Sequence, residues 1–270
     1  MDIIELFSYQ FMQRALLVGG IVGLVCSLIG VFVVLRGLSF IGAGISHAAF
    51  AGVAIGLLLG IPPVLSAFVF CSAVALAVGY ASRHGKIRED TSIGIFFAAS
   101  MALGVLLIGL MRNQNVDLLT YLFGGILTLS DYEIYVSLVL GAVIVGATAL
   151  FYKEIVSVVF DEELASISGV PAVFIGYLLL VLMSLSVVVS MTLVGIILVS
   201  SLIVTPAATA LQLSKDIDRV VLISAALGVL TTEAGIICSY FLNTAPGPTI
   251  VLLSTGLFVL AASFSRVVRA

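Results

Sequence analysis

Two ionisable side chains stand out because of where they fall. His47 lies inside the apolar stretch from Ser39 to Gly60, SFIGAGISHAAFAGVAIGLLLG, next to Ser46, and Glu233 lies inside another, about 219 to 242. The other thirteen of the fourteen acidic residues fall in polar segments or near the ends of apolar ones. A charged carboxylate deep in a bilayer is costly, so Glu233 must be protonated, paired or facing water. Imidazole plus carboxylate is a ligand set for a divalent transition ion such as zinc, manganese or iron. Two lone polar residues at matching depth on different spans point to one shared metal site. The competing readings are a His–Glu hydrogen bond that ties two helices together, or an imidazole bonded to a neighbouring carbonyl. Ser46, Thr231 and Thr232 are further oxygen donors, although such hydroxyls in membrane helices commonly bond back to their own backbone. Met183 and Met191 read as packing.

The elements that position these residues follow from composition. Of 270 residues, 62% are hydrophobic and 9% charged, where a soluble domain carries about 25% charged residues. The chain reads as an all-α polytopic membrane protein, a single transmembrane domain over 1–270, lying in a cell membrane. It carries no signature of nucleic-acid binding. Cys26, Cys71 and Cys238 lie in apolar stretches without a C-x-x-C pair and read as small buried hydrophobes. The amino terminus has no basic n-region and no A-x-A-like site, so no cleavable signal peptide is expected.

Apolar runs long enough to cross a bilayer are expected at about 15–35, 39–60, 64–82, 91–111, 132–152, 171–190, 193–213, 219–242 and 249–266. That makes nine spans, or eight if one is misjudged. Met1 to Gln13 reads as an amphipathic interfacial helix. The short apolar run LLTYLFGGILTLS, within 112–131, reads as interfacial or re-entrant. With nine spans, Arg36, Arg83, Lys86, Arg88, Lys153, Lys215, Arg219, Arg266 and Arg269 share one side, and Arg14 and Arg112 the other. The basic side is cytoplasmic by the positive-inside rule, which puts the amino terminus outside and the carboxyl terminus inside. In the second span Gly44, Ala48, Gly52 and Gly56 form a ridge of small residues at a spacing of four. Such a ridge lets another backbone come close. Pro206 removes a backbone bond inside the seventh span and should kink it.

The loop FDEELASISG, 160–169, is the second informative segment. Asp161 can cap a short helix, Glu162 and Glu163 fill its first turn, and Gly169 ends it. Phe160, Leu164 and Ile167 share one face at helical spacing. Such a helix suits the docking of a partner, or it is an ordinary capped connector. GYASRHGK, 79–86, misses the phosphate-loop pattern: five residues separate its glycines and Ile87 follows the lysine. No catalytic triad, dinucleotide fingerprint or zinc-protease motif appears either, and any ATP chemistry must come from another subunit.

An ordered set of segments carries a resemblance. LRGLSFIGAGISHAAFAGVAIG (35–56), FDEELASISGVP (160–171), VTPAATA (204–210) and PGPTIVLLSTGLF (246–258) resemble the zinc/manganese/iron-type ABC transporter permeases. The resemblance implies a homodimer of permeases, two cytoplasmic ATPase subunits and an extracellular solute-binding protein that delivers the metal. It makes Asp161, Glu162, Glu163, Leu164, Ala165 and Gly169 the coupling helix, and places His47 on the family's signature histidine. Many members carry aspartate one turn before that histidine, as D-x-x-x-H, where this chain has Ala43. Loss of that hard oxygen tilts the expected cargo from manganese toward zinc, carried as substrate and with no tightly bound cofactor. Two other readings stand beside this one: a permease for a metal chelate or cobalamin, and a proton-coupled secondary transporter working through Glu233. An intramembrane metalloprotease would need H-E-x-x-H, which is absent.

Overall fold

The computed structural model describes residues 9–85, 87–111, 122–125 and 130–269, with side chains through Phe264. Its described residues form eleven helices: α1 (Gln10–Leu35), α2 (Ile41–Leu59), α3 (Pro63–His84), α4 (Glu89–Leu110), α5 (Asp131–Leu150), α6 (Tyr152–Phe160), α7 (Glu162–Ile167), α8 (Ala172–Val194), α9 (Val199–Leu213), α10 (Ile217–Leu242) and α11 (Pro246–Arg269). Eight of them are long and apolar enough to cross a membrane, and α9 is a shorter apolar helix. The nine expected spans are all present as helices, with three local differences.

First, α1 already runs from Gln10, so residues 10–13 belong to the first span and not to a separate interfacial helix. Residues 1–8 of that expected helix lie outside the described residues. Second, the seventh span starts six residues later than expected. Residues 195–198 form a turn in which Gly195 takes a φ of 85°, and α9 keeps only 15 residues. At 1.5 Å per residue it is about 22 Å long, short of a hydrocarbon core of about 30 Å. Part of the run read as re-entrant packs there: Ile197 N–H donates to the Leu122 carbonyl and Gly125 N–H to that of Thr192. Irregular backbone at such a place is tolerated because protein, not lipid, satisfies it. Third, the chain from Tyr152 to Phe160 is a helix of its own, α6, which buries Ile155 and Val158. Helix α9 continues through Pro206 to Leu213.

α1, α2 and α8 are the most enclosed spans, while α4, α5 and α11 turn most of their surface outward. Lipid tails are as apolar as leucine, so burial of apolar area cannot drive these helices together; close packing and polar contacts must. The α1–α10 contact shows both. A Cβ at Gly23 would stand 2.5 Å from the Gly228 carbonyl oxygen, and Ser224 Oγ donates to the Ser27 carbonyl at 2.9 Å. The small-residue ridge of α2 divides between two neighbours. Gly44 meets Ile93 of α4, whereas Gly52 and Gly56 meet Ala67 and Pro63 of α3.

Two helix ends fix the geometry used below. At the end of α1, Gly37 adopts a φ of 74°. Leu38 N–H donates to the Val33 carbonyl and Gly37 N–H to that of Val34, the Schellman pattern. The same pattern ends α7: Gly169 has a φ of 87°, Val170 N–H reaches the Ala165 carbonyl, and Gly169 N–H that of Ser166. A residue with a Cβ is strained in that left-handed conformation. At the other end of α7, the Asp161 carboxylate accepts from Leu164 N–H at 2.9 Å.

Candidate functional site

His47 is half-buried in the second turn of α2. Its Nδ1 lies 2.9 Å from the Ala43 carbonyl oxygen. A carbonyl only accepts, so Nδ1 carries the proton in this contact, and in the neutral ring the lone pair is then on Nε2. A backbone bond on one ring nitrogen is how ligand histidines have their tautomer and orientation set. Phe97 of α4 packs edge-on to the ring, with centroids 4.6 Å apart. Imidazole orientation is therefore fixed from two helices, with Nε2 as the available donor. Ser46 is fully buried and its Oγ has no hydrogen-bond partner among the described residues, as is also true of Ser92 Oγ on α4. Consecutive helical residues point about 100° apart, so Ser46 does not share the face of His47.

Glu233 sits half-buried on α10. Its Oε1 is 3.1 Å from where a Cβ on Gly20 of α1 would stand. The missing side chain at Gly20 is what makes room for the carboxylate. No ion pair joins it to a described residue, and it does not meet His47. The expectation of one shared His–Glu site within a chain is thus corrected, for two physical reasons. α2 packs on α3, α4, α8 and α9, while α10 packs on α1, α9 and α11, so α9 stands between them. Their depths also differ. The starts of α2 and α10 lie on the same side, marked by Arg36 and by the Tyr152–Asp218 contact. Counting from those starts, His47 is about 9 Å in and Glu233 about 24 Å in, at 1.5 Å per residue. No group of three His, Cys, Asp or Glu side chains among the described residues could hold a metal ion. Thr231 donates back to the Leu227 carbonyl at 2.7 Å and Thr232 to that of Gly228 at 2.8 Å, so their hydroxyl protons are engaged. Met183 and Met191 are buried packing residues.

The loop 160–169 forms a capped helix whose apolar face points away from the bundle. Phe160, Leu164 and Ile167 are 66%, 61% and 79% exposed, while Ala165 is buried. Ala165 packs with Phe32, Ile155, Val158, Ala172, Ile175 and Leu179. Glu163 is exposed. Glu162 is the exception among the acids: it bridges Arg36 at 2.8 Å and Arg83 at 2.6 Å. The Arg36 side chain is only 13% exposed, unlike the open Arg219–Asp216 pair, whose kind contributes at most ~1 kcal/mol. Sequence reasoning did not single out Arg36 and Arg83 for this contact, because a basic residue at a span end is equally well a topology signal. It also missed α6, whose signal was the i, i+3 pair Ile155 and Val158 just after the charged Lys153 and Glu154. Tyr152, at the start of α6, donates to Asp218 of α10. Partial burial, then that bond and the charges of Asp218 and Asp216, push its hydroxyl up to about 12.

The cysteines are all free; Cys26 and Cys71 are buried. Cys26 Sγ shares a hydrogen bond of 2.8 Å with Ser190 Oγ, which ties α1 to α8 rather than offering a ligand.

With this geometry in hand, comparison with known proteins is specific. A family model described as the ABC 3 transport family matches residues 8–265. A relative named manganese transport system membrane protein MntC, from Halalkalibacterium halodurans, is 39% identical over 261 residues, covering 97% of this chain and 89% of the relative. A probable iron transport system membrane protein from Haemophilus influenzae is 35% identical over 269 residues, covering 98% and 97%. Among solved structures, PsaBC from Streptococcus pneumoniae in complex with Fab superposes with a TM-score of 0.86 at 36% identity, covering 96% of this chain and 93% of that one.

Proposed function

This chain belongs to the ABC 3 transport family, and from that premise we propose that it moves manganese or iron into the cell by alternating access. It is a multi-pass membrane permease subunit of an ABC-type metal importer. The zinc preference that Ala43 suggests finds no support: the relatives compared above are named for manganese and iron. The physical reason is that one missing carboxylate does not set selectivity. Geometry and the remaining oxygen donors set it as well.

The observation that carries the reading is His47, with Nδ1 held by Ala43 and Nε2 available, inside a span of a chain that matches this family almost end to end. The ion crosses as substrate and no cofactor is tightly held. His47 supplies a transient nitrogen contact, and weak binding suits conduction, which needs the ion to leave. Ser46 lies on another face of the same helix, so in this reading His47 contacts the ion without it. Glu233 is a separate polar point nearer the opposite face, not a co-ligand in the same chain.

The end of the bundle that carries Arg36, Arg83 and α7 faces the cytoplasm in this reading. Two copies of the permease pair with two ATPase subunits, which dock on the exposed Phe160 at the end of α6 and on Leu164 and Ile167 of α7. An extracellular binding protein delivers the ion. The chain itself hydrolyses nothing. Metal uptake into vesicles holding the permease with its ATPase and binding protein tests this. His47→Ala should abolish manganese or iron uptake while assembly and ATP hydrolysis survive. Uptake at the wild-type rate in that variant would take His47 off the path. Uptake that runs without the ATPase and collapses with a protonophore would replace this reading with proton coupling.

A further inference from the structure

Glu162 is held by two arginines from different helices. Its Oε2 accepts from Arg36 Nη2 at 2.8 Å, and its Oε1 lies 2.6 Å from Arg83 Nη2. Arg36 closes α1 and Arg83 lies in the last turn of α3. α1 and α3 share no packed face of their own. Glu89, the first residue of α4, stands 3.9 Å from Arg36. The Arg83 guanidinium lies over the Tyr177 ring of α8, 5.6 Å from its centroid. Gly176 makes room for both cations: a Cβ there would stand 2.8 Å from Arg83 Nη2 and 3.4 Å from Arg36 Nη1. Each charge also suits the helix end it occupies, cations at the ends of α1 and α3 and acids at the starts of α7 and α4.

We propose that Glu162, Arg36 and Arg83 are positioning residues for coupling, the link through which displacement of α7 becomes displacement of the ends of α1 and α3. This rests on α7 being the surface that meets the ATPase. A helix of six residues is too short to hold itself in place. Its apolar hold on the bundle is Ala165, a methyl group among larger side chains that include Phe32 of α1. That contact is non-directional and does not reach α3. The charge-assisted hydrogen bond from Arg36 is directional, and among the described residues the Glu162–Arg83 ion pair is the one charge contact that joins α7 to α3. From α3 the route to the ion is short. α2 packs along α3 at Gly52 and Ala67, and along α4 at Gly44 and Ile93. Together α3 and α4 flank the helix that presents His47.

The test is manganese uptake per ATP hydrolysed in vesicles that hold the full importer, wild type against Glu162→Gln, Arg83→Gln, the double variant and Arg83→Lys. Glu162→Gln keeps size while removing the charge. Each neutralising single should lower uptake per ATP about 3- to 30-fold, the range in which residues on a coupling route alter linkage between distant sites. The double should be no worse than either single, and Arg83→Lys should recover most of the ratio. A merely structural role would lower assembly or total activity and leave the ratio unchanged, which overturns the proposal. If Glu162→Gln does not assemble, the Arg83 pair of variants carries the same comparison. If the wild type takes up metal with no ATPase present, the importer reading falls, and this proposal with it. If the wild type couples and the singles couple equally well, only this proposal falls.

Discussion

At the scale of single residues, the imidazole of His47 is set up by its own helix. The Ala43 carbonyl that holds Nδ1 stands four residues back, where the aspartate of the D-x-x-x-H pattern would stand. Backbone thus orients the ring here, with no carboxylate beside it. Ala43→Asp should raise manganese affinity at equilibrium by about 10-fold or more, as added ligand shells commonly do, and slow release enough to lower turnover. Metal titration alongside uptake kinetics separates the two effects. His47 and Glu233 sit at different depths on helices that do not pack together. The effects of His47→Gln and Glu233→Gln on uptake should therefore add in free energy to within about 0.5 kcal/mol. A larger coupling would mean that the two residues meet, for instance across protomers. Tyr152 offers a pH test outside the membrane. Its raised pKa means that the folded state favours the protonated phenol. That stabilisation is fully present below the ordinary tyrosine value of ~10 and is lost as pH rises through about 12. Tyr152→Phe should remove this alkaline loss in a pH series of thermal melts and delete the late-titrating phenol from the absorbance curve.

At the scale of elements, the membrane helices are held by close approach and the short ones by their caps. Gly23 and Gly228 place the backbones of α1 and α10 in direct contact. Gly228→Leu should cost about 3 kcal/mol or more through overpacking against backbone that cannot yield, seen as loss of folded permease in detergent. α7 depends on Asp161 at one end and Gly169 at the other. Asp161→Ala removes a cap worth about 1 kcal/mol. Gly169→Ala forces a Cβ into left-handed backbone at a similar cost. Both should weaken ATPase co-purification while metal binding to the permease is unchanged.

At the scale of the whole molecule, the most enclosed spans include the two that matter most to the proposed path and frame: α2 with His47, and α1, on which α10, α9, α8 and α5 all pack. The helices that turn outward expose Leu106, Val143, Leu252 and Leu260, residues suited to lipid. The ends of α1, α3, α4 and α7 converge on the Glu162 cluster at one face. A cytoplasmic motor acting there would reach the spans without needing a soluble domain on this chain. An intact importer should keep manganese uptake when a protonophore collapses the proton gradient and lose it when ATP is withheld.

That the chain is helical and lies in a membrane, roughly where its spans fall, and which histidine to watch were all legible in the order of its residues. Those properties are local: hydropathy over about twenty residues sets a span, and a cap or a glycine sets an end. The sequence also carried the family, through segments whose order needs no coordinates. Which spans touch emerges from the packed helices alone. Two polar residues in separate apolar runs look equivalent to hydropathy, yet α9 stands between the helices of His47 and Glu233 and their depths differ. Arg36, Arg83 and Glu162, 126 residues apart at their widest, likewise read as separate end-of-span charges. Their meeting depends on how α1, α3 and α7 are packed, and packing is a property of surfaces brought together from distant parts of the chain.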